Sequence, residues 1–78
     1  MKLEVIIGKK ESGRGRVFNN INQASFYMTY QEKQALINLQ EKLGSKIETR
    51  PKYKNEIKRI VYRNDSGDKH YYILKVTN

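Results

Sequence analysis

Apolar positions change period along this chain, and each change marks an element. Leu3, Val5 and Ile7 alternate with Lys2, Glu4 and Ile6, the period of a half-buried strand over Lys2–Ile7 that Gly8 ends. Residues 9–16 (Lys-Lys-Glu-Ser-Gly-Arg-Gly-Arg) hold no apolar side chain, so they predict a mobile basic loop with nothing to give a core. Val17-Phe18 then returns as a short second strand antiparallel to the first. Neither period runs through Asn19 to Ser25, and Phe26-Tyr27-Met28 must pack as a strand end or as a ledge under the helix that follows.

That helix is expected over about 30–43. Thr29 with Glu32 three residues on has the form of a capping box. Ala35, Leu36, Leu39 and Leu43 fall within about a 100° arc at 3.6 residues per turn, and Gly44 is placed to close the helix in the left-handed conformation. Ile37 points away from the arc, to a second contact or to solvent. Beyond it, Lys46–Arg50 reads as a short strand confined to an edge by Pro51. Glu56–Arg63 and Lys69–Val76 read as a hairpin around the turn segment 64–68.

A loop of that length pairs Arg63 with Lys69, Val61 with Tyr71, Arg59 with Ile73 and Ile57 with Lys75. Ile60, Tyr62, Tyr72, Leu74 and Val76 then share the face given to the helix, with Lys58 and His70 toward its ends. Ile57, Arg59, Val61, Arg63, Lys69, Tyr71, Ile73 and Lys75 share the other, expected to be half wet. The sum is an α+β fold: a small single domain, 1–78, with one capped α-helix (about 30–43) packed on an antiparallel sheet in the order β-β-α-β-β-β.

Composition narrows the function classes. A chain of 78 residues hides only ~60% of its unfolded surface, which argues against a deep enclosed active site. There is no cysteine, hence no disulfide framework. No run nears the ~18 apolar residues of a membrane span and no secretory signal is visible, so a cytoplasmic protein without membrane contact is expected.

Charge adds a direction. Sixteen Lys+Arg against eight Asp+Glu give a formal +8. By segment the net charge is +3 over residues 1–16, zero over 17–45 and +5 over 46–78. Cations interleaved with aromatics suit nucleic acid, because the cations displace counterions from phosphates and the rings stack on bases. The candidate contacts are Lys9, Lys10, Arg14 and Arg16 in the loop, then Lys52, Lys54, Arg59 and Arg63. Tyr53 and Tyr71 are the candidate stacking residues. A solvated surface that keeps a small protein soluble is the plainer alternative.

Other chemistries fail on the residues. Gly8 to Arg14 has the glycine spacing of a phosphate-binding loop, but Arg14 stands where lysine is required, Gly15 where Ser/Thr is, and strand follows where a helix should begin. His70 has no partner that the sequence can place beside it. Asp65 and Asp68 read as turn residues rather than cation ligands. No cofactor or metal is implied, and a non-enzyme is expected.

The first expectation is therefore a non-catalytic nucleic-acid-binding or polyanion-binding protein, the polymer being DNA or RNA. Abundant Lys, Asn, Ile and Tyr is also common in small proteins of AT-rich bacteria and their mobile elements. That suggests the alternative of a phage or mobile-element inhibitor that binds a host nuclease or CRISPR effector. A homo-oligomeric structural protein, with Ile37 and the strand that Pro51 ends at the subunit contact, is a third possibility.

Overall fold

The computed structural model describes residues 1–39 and 44–77. Five strands, β1 (Leu3–Gly8), β2 (Arg16–Phe18), β3 (Ser45–Glu48), β4 (Glu56–Arg63) and β5 (Lys69–Val76), form one sheet in the spatial order β2-β1-β5-β4-β3. All neighbours are antiparallel. A helix, α1 (Ile21–Gln34), lies across one face and continues into a wider π-helical turn over Ala35–Leu39. The element order is the expected β-β-α-β-β-β, and β3 is an edge strand.

The helix begins nine residues before the expected start. Asn20 is its N-cap, and the Asn20 Oδ1 accepts from the amides of Asn22 at 2.8 Å and Gln23 at 3.1 Å. Thr29 is interior, and the Glu32 carboxylate accepts from the Tyr62 hydroxyl instead of closing a capping box. The physical reason is that α1 carries apolar residues on two sides, which conceals its 3.6-residue period. Ala24 and Met28 are buried on the sheet, while Phe26 and Tyr30 face outward. Ala35 is buried as expected, but Leu36 is exposed. Leu43, the side chain of Leu39 and the helix end expected at 43 lie outside the described residues; Gly44 does adopt a positive φ of 71°.

Hairpin register holds as read for Arg63–Lys69, Val61–Tyr71 and Arg59–Ile73. Leu3, Val5, Ile60, Tyr62, Tyr72 and Leu74 form the core beneath Ala24, Met28 and Ala35. Ile57 does not pair with Lys75, because a bulge between Glu56 and Lys58 gives that partner to Glu56. A second bulge separates Lys46, opposite Tyr62, from Glu48, opposite Val61.

The outer face is drier than expected. Ile6, Val61 and Ile73 are fully buried there. Two connections lie over it: Glu11 and Ser12 from the β1–β2 loop and Tyr53 and Asn55 from the β3–β4 connection line one shallow hollow with Ile73 and Lys75. The β1–β2 loop is also tied down at its end, where the Gly15 amide donates to the Glu4 carboxylate at 2.6 Å. A side chain at Gly15 would run into the Val5 carbonyl, so only glycine lets the chain return this closely.

Candidate nucleic-acid interface

Arg59 organises the outer face. Strand alternation puts Arg59 and Glu56 on opposite faces in a regular strand, and Lys46 and Glu48 on the same one. Each bulge inserts an isoleucine, Ile57 or Ile47, and so turns a glutamate onto the outer face. There Arg59 Nε donates to Glu48 at 2.7 Å and Nη1 to Glu56 at 2.8 Å. Nη2 donates to Glu11, which reaches in from the β1–β2 loop. The guanidinium carbon lies 5.7 Å from the Tyr53 ring centre and 5.6 Å from that of Tyr71, so two aromatic rings flank the charge.

Three carboxylates converge, and the positive charge between them belongs to the chain. Arg59 is 1% exposed. Burial alone would pull its pKa down, but its hydrogen bonds to Glu11 and Glu48 and the charge of Glu56 outweigh that and raise it. The same hydrogen bond from Arg59 holds Glu11 below the ordinary carboxylate value, and the charges of Arg59, Lys52 and Lys69 act in the same sense.

The expected contact residues divide accordingly. Arg59 is enclosed and its donors are committed to carboxylates, so it has no face for a phosphate. This corrects its place on a half-wet surface. Tyr71 is half-buried with Arg59 against its ring, and Tyr53 carries Arg59 and, at 5.5 Å, the Lys52 ammonium. Arg59 lies against both rings, but Tyr53 is 51% exposed and Tyr71 only half-buried, so each keeps ring surface at solvent. Arg16 projects on the helix side, where its guanidinium lies 5.4 Å from Phe18 and 5.0 Å from Tyr27.

Lys9, Lys10 and Arg14 are exposed on the loop that Glu11 pins. Lys52 and Lys54 are exposed on the connection that carries Tyr53. Arg63 lies at the far end of β4, paired with Lys69, a cation outside the expected set. Lys69 shares a face with Arg63 by hairpin parity, and that was its available signal in the sequence. Among the described residues, no carboxylate lies within ion-pairing distance of Lys9, Lys10, Arg14, Arg50, Lys52, Lys54, Arg63 or Lys69.

His70 lies on the helix face, its ring centre 5.1 Å from that of Tyr72. Burial and then the nearby charge of Lys9 hold its pKa below the usual value. Burial and the charge of Glu32 push the Tyr72 hydroxyl up to about 12.

The chain matches no protein-family model, no curated protein and no solved structure. Its function is therefore argued from its own residues.

Proposed function

We propose that the protein binds nucleic acid without catalysis, through phosphate contacts along the outer side of the sheet. The observation that supports this reading is the arrangement around Arg59. One buried side chain holds the Lys9–Arg14 loop and the Lys52–Lys54 connection over the same face, although some forty residues separate them. Glu11, Glu48 and Glu56 are spent on that arginine, so the exposed lysines and arginines around them have no carboxylate partner and can turn to a ligand; Arg63 gives one donor, Nη1, to the Gly67 carbonyl. Lys9, Lys10, Arg14, Lys52, Lys54, Arg63 and Lys69 contact phosphates in this reading. Tyr53, 51% exposed, keeps a ring that can stack on a base, and phosphate contacts carry most of the affinity in this reading. The reading puts the protein in the cytoplasm; no helix among the described residues is long and apolar enough to cross a membrane.

The test is fluorescence anisotropy with a short labelled duplex and a single strand of the same length, over a range of salt. Affinity should fall with salt at a log–log slope of about −0.9 per neutralised phosphate on the duplex and about −0.7 on the single strand. Lys10→Ala with Arg14→Ala, Lys52→Ala with Lys54→Ala, and Arg63→Ala with Lys69→Ala should each reduce the slope by nearly two while leaving the fold intact. Failure of both polymers to bind at low salt would overturn the proposal and favour the inhibitor reading, in which the basic surface meets a host protein.

A further inference from the structure

The two basic connections do not close completely over the sheet. Between the β1–β2 loop and the β3–β4 connection lies the hollow of about 380 Å³ already described, in the size range of sites that hold small organic ligands. Ile73 is its apolar floor, Tyr53 and Asn55 stand on one side, and Glu11 and Ser12 on the other. Among the described residues no hydrogen bond uses the Ser12 hydroxyl. We propose that this hollow receives one unpaired base of a bound single strand, stacked on Tyr53, with the neighbouring phosphates on its rims. The proposal rests on the nucleic-acid reading and names the form of polymer that the site takes.

Charge selects that occupant. Both sides carry exposed cations next in the chain to the lining residues: Lys10 and Arg14 bracket Glu11 and Ser12, and Lys52 and Lys54 bracket Tyr53. Inside the hollow the sign is reversed, because Glu11 and Glu56 line it and share the single charge of Arg59 with Glu48. A phosphate is therefore drawn to the rims and repelled from the hollow, whereas a neutral base meets neither effect. Asn55 gives Nδ2 to the Val76 carbonyl at 3.3 Å, which leaves its Oδ1, with the Ser12 hydroxyl, to meet the edge of a base. The Lys52 ammonium lies 5.5 Å from the Tyr53 ring centre, and because Lys52 is exposed it can pass from the ring to a phosphate when a base arrives.

A duplex cannot use this site, since its ring faces are covered by neighbouring pairs. Charge density alone favours the duplex, which carries one charge per ~1.7 Å of axis. An affinity gain confined to the single strand therefore reports the base and not the phosphates.

The test is fluorescence anisotropy with three labelled DNAs: a short single strand, an abasic strand with the same number of phosphates, and a duplex of the same length. The parent should bind the intact strand roughly 5- to 100-fold more tightly than the abasic strand, with similar salt slopes, because stacking releases no counterions. Tyr53→Leu keeps apolar cover over Arg59 but has no ring. It should lose the preference for the intact strand, bind the duplex like the parent and keep the parent's urea midpoint. Equal affinity of the parent for intact and abasic strands overturns the inference and leaves the phosphate reading standing. A variant that keeps the preference also overturns it. So does a variant weakened equally on all three DNAs, since the ring would then act by seating the loops through Arg59. If the variant does not fold, the parent's comparison of intact and abasic strands still decides. Binding to none of the three DNAs at low salt would remove the inference together with the reading beneath it.

Discussion

Arg59→Met asks how much of the domain depends on one buried charge. The substitution keeps an apolar stem between Tyr53 and Tyr71 but removes all three charge-assisted hydrogen bonds. Glu56, whose side chain is 3% exposed, is left desolvated without a counter-charge, whereas Glu11 and Glu48 can turn toward water. Breaking a buried pair in this way costs about 3–5 kcal/mol, most of it the stranded charge. A domain of this length has about 4–12 kcal/mol in total, so the variant should be near its folding limit at pH 7. The assay is urea unfolding at pH 7 and pH 4. Glu11 is held below the ordinary carboxylate value by Arg59 only in the parent, which loses that contribution as pH falls below 4.5, so the gap between the two should narrow at pH 4. A variant within about 0.5 kcal/mol of the parent at pH 7 would refute the reasoning. A deficit equal at both pH values would place the cost in packing instead of charge.

Two further outcomes follow from the same contacts. Asn20→Ala should cost about 1 kcal/mol because two helix amides lose their acceptor, and Thr29→Ala, inside the helix, should cost much less; equal losses in thermal midpoint would contradict the assigned cap. Stability of the parent should fall as pH drops from 7 to 4. His70, depressed from 6.5, favours the folded state fully above that value and loses its contribution below it, and Glu11, depressed from 4.5, does the same below 4.5. His70→Gln should flatten the upper part of that decline, and a midpoint that rises toward pH 4 would refute the signs.

Elements whose apolar residues keep one period were legible in the sequence. The β4–β5 hairpin has a loop whose length fixes parity, and so its helix-facing residues could be named. Helix α1 was not legible over its first turns, because Phe26 and Tyr30 are apolar on the solvent side and fill the gaps that periodicity depends on. Thr29 and Glu32 have the spacing of a cap by coincidence: Glu32 is positioned to meet Tyr62, a contact thirty residues away that no local pattern encodes.

The outer face shows why parity alone misjudged the site. Alternation placed Arg59 correctly among Val61, Arg63, Tyr71 and Ile73, but it could not say what covers that face. It also set Ile57 opposite Lys75, a place that Glu56 takes because the bulge reverses parity for the residues before it. This bears on how binding data from this face are read. Arg59 touches no solvent, yet it sets the position of both basic loops, so weakened binding in an Arg59 variant would not make it a phosphate contact. Glu11→Gln separates the two roles: it loosens the loop from Arg59 while adding one unit to the net charge. A surface that works by charge alone should bind nucleic acid more tightly after that change. One that needs Lys9, Lys10 and Arg14 held against the sheet should bind less tightly despite the gain in charge, which is the result that the geometry around Arg59 favours.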